Sequence, residues 1–218
     1  MDHAFWHERW QQNQIGFHNK AVNSHLQSFW PILQTAQNRK VFVPLSGKTK
    51  DILWLLEQGC EVVAVELSPL AVQALFAENN LQPEVFQTEC FTVNQIDGLR
   101  VYCGDFFQLT INELDVCTVV WDRASLVALP VNMREAYADH MQHLLNPGSQ
   151  ILLVAFNYHQ TEMQGPPFSV NQQEVQVLYG SWCDVQLLCT EDILDREPHF
   201  RDRGLTSMQE QVYLLTVR

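Results

Sequence analysis

From Lys40 onward the apolar residues of this chain alternate between two rhythms: short continuous runs, and stretches repeating every three or four positions. The runs at 41–45 and 61–66 predict strands buried on both faces. Between them, Ile52, Leu53, Leu55 and Leu56 form one face of a helix over 49–58. A second helix opens at Ser68-Pro69, an N-cap serine with proline at the first helical position, and runs to about Asn79. Residues 82–98 are polar and weakly patterned, which predicts a loop or a short hairpin. Val101–Cys103 is a short strand closing at Gly104-Asp105, and Val116–Trp121 is an apolar strand closed by Asp122-Arg123. A helix over Asn132–Leu145 stops at Asn146-Pro147-Gly148, and Gln150–Phe156 is another buried strand. Gly165-Pro166-Pro167 is a rigid turn, followed by a helix over 171–180 and strands near 183–190 and 210–217. In the first 38 residues, Phe5, Trp6 and Trp10, then Leu26, Phe29, Trp30 and Leu33, predict two helices with a break near Ile15-Gly16-Phe17.

The early strand–helix alternation implies parallel strands joined by right-handed crossovers. The last two strands lack a helix-length connection and are expected to form an antiparallel edge pair. The expected fold is α/β: a seven-stranded, mostly parallel, doubly wound sheet with that antiparallel C-terminal pair. No repeat, low-complexity tract or linker is visible, so 1–218 is expected to be one domain, with residues 1–38 as a helical cap.

Composition narrows the function classes. A length of 218 residues suits one sizeable α/β domain. A net charge of −12 argues against a nucleic-acid partner, because phosphate binding needs clustered Lys and Arg. Only Arg196, Arg201 and Arg203 approach a cluster. The six cysteines form no Cys-x-x-Cys pair and lie mostly in apolar runs, which predicts reduced core thiols in a reducing cytoplasm. The start, Met-Asp-His-Ala-Phe-Trp, carries no secretory pattern, and no apolar run approaches the roughly 20 residues that span a bilayer. The expectation is a soluble cytoplasmic protein without a membrane partner, monomeric by default.

In open α/β sheets, ligands bind beyond the carboxyl ends of the strands. Four of those ends here carry unusual residues: Pro44-Leu45-Ser46-Gly47, Glu66, Gly104-Asp105-Phe106-Phe107 and Asp122-Arg123. A strand, a glycine turn, a helix and a strand ending in an acid 19 positions after Gly47 is the layout of a nucleoside-binding βαβ unit. Each feature has a blander reading: a turn glycine, a helix-capping Glu66, a turn Asp105, a surface Asp122–Arg123 pair. Their coincidence at one sheet edge favours a ligand site. Gly47-Lys48-Thr49 is not a triphosphate loop, since the glycine required five positions earlier is Phe42. His3 and His7 lie one helical turn apart but lack a third ligand, so no metal is expected. Trp6 and Trp10 share a helix face with Phe17-His18 just beyond; they either dock the segment on the core or form an aromatic lid over a cofactor.

Trp6-x3-Trp10-x6-Phe17-His18, Phe42-Val43-Pro44-Leu45-Ser46-Gly47-Lys48, Val63-Ala64-Val65-Glu66-Leu67-Ser68, Trp121-Asp122-Arg123-Ala124 and Gly165-Pro166-Pro167-Phe168 together resemble the thiopurine S-methyltransferase family, its bacterial members above all. The likeness runs in order through Gln211-Val212-Tyr213-Leu214-Leu215, with Ser46 where the family usually has cysteine. It implies a class I fold that uses S-adenosylmethionine and no metal. Trp10, Leu45, Gly47, Glu66 and Arg123 would contact the cofactor, with Trp6, Asp105 and Phe106 completing its pocket. Phe17, Arg123, Tyr158, Pro167 and Phe168 would face a small-molecule thiol acceptor. No residue is implied as a catalytic base, and Arg196, Arg201 and Arg203 compete for the family's late-loop arginine. Selenium or tellurium compounds are an alternative acceptor class. A dinucleotide oxidoreductase is disfavoured by the missing Gly-x-Gly-x-x-Gly. A non-catalytic cofactor-binding protein is disfavoured by the intact lid, acid and acceptor loop.

Overall fold

The structure, a computed structural model, describes residues 3–33 and 40–218. The chain forms an α/β fold with a mixed sheet, parallel in its core and antiparallel at its edges. It divides into two compact units, one ending at Trp121 and the other beginning at Asp122.

In the first unit, α1 (His3–Gln11) and α2 (Ser24–Phe29) precede β1 (Lys40–Val43), α3 (Asp51–Glu57), β2 (Glu61–Glu66) and α4 (Pro69–Glu78). Then come β3 (Glu84–Gln87), β4 (Thr92–Ile96), β5 (Leu99–Cys103), α5 (Ile111–Leu114) and β6 (Val119–Arg123), whose last two residues belong to the second unit. The strand order is β3-β4-β5-β2-β1-β6. β1, β2, β5 and β6 run parallel, with Phe42 opposite Val63 on one side and Val120 on the other. From Val62 to Glu66 every residue of β2 is buried, as expected of a strand covered on both faces. Ile52 and Leu55 of α3, and Ala71, Val72, Leu75 and Phe76 of α4, supply the apolar stripes that cover it. Burial of each large aliphatic side chain contributes about 1.5–3 kcal/mol. The segment 82–98 takes the hairpin alternative as β3 and β4, antiparallel to each other, and the described residues hold nine strands instead of seven. β3 is exposed along its whole length, so it carried no apolar rhythm to detect.

Asp51 organises this unit from inside. Its carboxylate is 2% exposed and accepts the Asn23 N–H and the Trp121 Nε1–H, both at 2.8 Å. Asn23 in turn caps α2, accepting the N–H groups of His25 and Leu26. One buried acid therefore ties the entry of α2 to the middle of β6.

In the second unit, α6 (Val131–Leu144), β7 (Gln150–Asn157), α7 (Gln172–Tyr179), β8 (Cys183–Asp192), α8 (Pro198–Asp202) and β9 (Gln209–Val217) follow β6. The order β7-β9-β8 is antiparallel throughout, as expected for the final pair. Tyr137, Ala138, Met141 and Leu144 form the buried face of α6. Tyr158, Met163, Ile193, Leu194, Phe200, Leu205 and Met208 form a separate apolar cluster.

Several expected boundaries shift. β6 begins at Val119 rather than Val116, and Asp122-Arg123 belong to the strand instead of following it. Ser68 occupies the N-cap of α4 with Pro69 behind it, but its hydroxyl makes no capping bond. Of the six cysteines, all free, only Cys60, Cys117 and Cys183 are buried, and Cys90 is exposed. Within the expected cap, positions 1–2 and 34–38 lie outside the described residues. No helix among the described residues is long and apolar enough to cross a membrane.

Candidate functional site

The glycine turn after β1 is held by the acid that ends β2. Glu66 Oε2 accepts the Gly47 N–H at 2.7 Å, and Oε1 accepts the Ser68 N–H at 2.7 Å. The carboxylate is 6% exposed, and burial raises its pKa despite the N–H groups of Ser68, Gly47 and Leu67 that favour its charge. Beside it in the sheet, Cys103 is pushed up to about 11 by burial first and by the Glu66 charge second. The helix-capping reading of Glu66 is therefore partly realised, since it does hold the Ser68 N–H. Three N–H groups leave about one of the carboxylate's four lone-pair sites open, so a further hydroxyl donor can be accepted. Ser68 Oγ is buried beside this acid without a hydrogen-bond partner among the described residues. A carboxylate with acceptor capacity to spare and an orphaned hydroxyl fit a ribose-bearing cofactor.

Backbone strain marks the turn. Leu45 has φ +44 and Gly47 φ +55. A left-handed conformation costs an L-residue about 1–2 kcal/mol, so Leu45 is held there by its surroundings. A Cβ on Gly47 would stand 3.3 Å from Trp10 Cζ2, which shows how closely α1 approaches the turn.

That approach defines the aromatic cluster. Phe17 lies edge-on between two indoles, its ring 5.7 Å from Trp6 and 5.8 Å from Trp10. Yet no residue of α1 is fully buried. At the other end of the helix, His3 Nε2 lies 3.4 Å from Asp105 Oδ2. Asp105 also accepts the Phe107 N–H at 3.0 Å, and Phe106 stacks on Phe42 inside the core. Trp6, Trp10, Phe17, Leu45, Gly47, Glu66, Asp105 and Phe106 thus all belong to the first unit, six of them in or against the turns after β1, β2 and β5.

The second unit carries the other sequence-derived residues. Asp122 is 1% exposed, accepts the Tyr137 hydroxyl at 2.8 Å and is pushed up to about 6 by burial. It thus points to the core beneath α6 instead of forming a surface pair with Arg123. Ala124, directly after Arg123, has φ +69, a second strained non-glycine residue at a strand end. Around the Gly165-Pro166-Pro167-Phe168 loop, Tyr158 donates its hydroxyl to the Pro167 carbonyl at 2.7 Å. Phe168 donates its N–H to Val127 O at 2.7 Å. Gly165, at φ +76, would place a Cβ only 2.5 Å from the Phe168 ring, so only glycine fits there.

Two organising residues of this loop, Arg134 and Gln160, escaped the sequence reading. Arg134, 3% exposed, donates to Leu129 O at 2.9 Å, to Ser169 O at 3.0 Å and to Glu174 at 2.6 Å. Its position on the same α6 face as Tyr137, Ala138 and Met141 was the available signal. Gln160 donates to Met163 O at 2.7 Å and to the Tyr158 hydroxyl at 3.2 Å, and accepts the Ser169 N–H at 2.9 Å. Arg203 donates to Pro166 O at 3.2 Å and lies over the Phe200 ring. By contrast, Arg196 is paired with Glu191 and Arg201 with Asp195, each at 2.5 Å.

Comparison with known proteins matches the chain from end to end. Residues 1–218 match the thiopurine S-methyltransferase family model. The thiopurine S-methyltransferase of Nitrosospira multiformis is 47% identical over 218 residues, covering 100% of this chain and 99% of that one. The Pseudomonas fluorescens protein of the same name is 46% identical over the full length of both. Among solved structures, an S-adenosylmethionine-dependent methyltransferase from Anabaena variabilis shares the fold with a TM-score of 0.64 at 10% identity, over 99% of this chain and 95% of that one. A Burkholderia thailandensis N-methyltransferase solved with S-adenosylhomocysteine gives 0.61 at 14% identity, over 99% and 87%. With a full-length family match and relatives near half identity, this chain belongs to the thiopurine S-methyltransferase family and is a methyltransferase.

Proposed function

We propose that this protein transfers the methyl group of S-adenosylmethionine to the sulfur of a small aromatic or heterocyclic thiol of the thiopurine type, acting as a cytoplasmic monomer. The observation that carries the reading is the end-to-end identity of 47% with a relative that bears that name. The Glu66-held glycine turn supports the cofactor half of it.

When bound, S-adenosylmethionine supplies an electrophilic methyl group that an acceptor sulfur displaces in line. The chain's own task is to bind, orient and exclude water. Glu66 would accept a ribose hydroxyl on its remaining lone pair, while Leu45 and Gly47 present backbone to the ligand. Asp105 and Phe106 would complete the pocket, with Trp6 and Trp10 as its aromatic cover and residues 1–38 as the cap. On the acceptor side we place Phe17, Tyr158, Pro167 and Phe168. Arg123 is assigned to both ligands. Arg203 is the late-loop arginine we assign to the acceptor, because its guanidinium already bonds the Pro166 carbonyl, whereas Arg196 and Arg201 are engaged by carboxylates. A heterocyclic thiol that ionises near neutral pH gives its proton to solvent, and the two arginines favour the anion. No side chain is assigned as a base, and no metal is assigned.

The test is methyl transfer from labelled cofactor to a panel of thiols, together with calorimetry using S-adenosylhomocysteine and NADH. Methylated thiol and binding of S-adenosylhomocysteine alone are expected. Binding without transfer to any thiol would overturn the acceptor assignment, and preference for NADH would overturn the cofactor assignment.

A further inference from the structure

The chain contains only four lysines against 25 acidic residues, and three of the four line one groove. Lys20, Lys48 and Lys50 face it together with His18, Asn13 and Glu78, around a volume of about 600 Å³. That volume lies within the range of about 300–1,000 Å³ typical of small-molecule sites. All these residues belong to the first unit. Lys48 is held at 2.6 Å by Glu78 and its side chain is 12% exposed, so its ammonium is fixed in place. Lys20 and Lys50 are exposed and make no ion pair among the described residues. Three ammonium groups against one carboxylate leave an excess of two positive charges in a chain whose net charge is −12.

We propose that this groove is an anion subsite for a compact dianionic oxyanion, a phosphate monoester or a pyrophosphate. Like-charged ammonium groups gathered in one concave surface repel one another unless a counter-charge sits among them, and Glu78 offsets only one. Lysine supplies point charges without planar forks, which suits a phosphate approached from several directions. The walls come from two places. Asn13, His18 and Lys20 belong to the segment that follows α1, while Lys48 and Lys50 follow the turn glycine onto which Trp10 packs. An anion bound there bridges the aromatic segment to the body of the unit. The inference stands on the groove and its charges, independently of the methyl-transfer reading.

Calorimetry on the full chain tests it, with pyrophosphate, ribose 5-phosphate and ribose as probes, each with and without saturating S-adenosylhomocysteine. Saturable binding of the two phosphate compounds, and none of ribose, is expected in both conditions. Preference for pyrophosphate would identify a free polyphosphate as the source, and preference for ribose 5-phosphate a sugar-phosphate headgroup. Lys20→Gln and Lys50→Gln should each weaken binding about fivefold, the scale of one exposed charge pair. Glu78→Gln should tighten it. Lys40→Gln makes the same change in net charge but outside the groove, where Lys40 is held by Asp115 and Glu61, and should change nothing. Equal losses in all three lysine variants, no saturable phosphate binding, or competition with S-adenosylhomocysteine would each overturn the subsite.

Discussion

Glu66 Oε2 accepts the Gly47 N–H at 2.7 Å, so the acid that ends β2 also sets the shape of the turn after β1. Its other oxygen holds the Ser68 N–H. Both oxygens face donors, and an amide in their place must turn its NH₂ toward one of these N–H groups. Glu66→Gln is therefore expected to fold but to lose about 1–3 kcal/mol of stability. Affinity for S-adenosylhomocysteine should fall about tenfold or more through lost charge-assisted bonds. Urea unfolding and calorimetry read the two effects separately. Unchanged affinity in the folded variant would remove Glu66 from the cofactor site.

Gly47 carries a positive φ and lies against Trp10. Gly47→Ala adds backbone strain of about 1 kcal/mol and a methyl group at the indole. Hydrogen exchange from Trp6 to Phe17 should accelerate in the variant, because α1 has no fully buried residue to hold it otherwise. In the wild type, the same segment should gain protection when S-adenosylhomocysteine is added. Exchange that ignores both changes would show that the aromatic cluster is ordinary packing.

Asp122 makes stability depend on pH in an unusual direction for a carboxylate. Its pKa is raised from 3.8 to about 6, chiefly by burial. A raised folded pKa means that the proton stabilises the folded state: the contribution is complete below about pH 4 and is lost as pH rises through about 6. A shift of about two units corresponds to on the order of 3 kcal/mol. Asp122→Asn removes this dependence. Subtracting the variant's unfolding free energy from that of the wild type should give a difference that falls between pH 4 and pH 6 and then stays flat. A flat difference across that window would mean that Asp122 titrates normally.

Arg203 is distinguished from its neighbours by what it touches. Arg203→Gln should reduce kcat/KM for an anionic thiol more than for a neutral one, with little change in S-adenosylhomocysteine affinity. Arg196→Gln and Arg201→Gln break exposed pairs worth at most about 1 kcal/mol and should leave turnover unchanged. Equal effects from all three variants would return the late-loop assignment to open ground.

Most of the architecture was legible because it rests on local patterns. The continuous run of β2, the stripes of α3 and α4, and Pro69 after Ser68 each declare an element within ten residues or so of chain. Spacing alone also placed Gly47 and Glu66 at neighbouring strand ends, because the parallel register of β1 and β2 follows from the crossover. The hairpin of β3 and β4 could not be told from a loop, because an exposed strand has no apolar alternation to betray it.

The partners of polar side chains were decided only by the tertiary structure. Arg134 meets Glu174 across 40 positions, and Asp51 meets Trp121 across 70. Gln160 and Arg203 converge on one proline loop from either side of α7 and β8. A cation or an amide carries no periodic signal of its own, and its role depends on which distant backbone carbonyl or carboxylate the fold brings within 3 Å or so. The gathering of three lysines into one groove has the same origin: their charge is written in the sequence, but their proximity is a product of how the segment after α1 returns to the turn after β1.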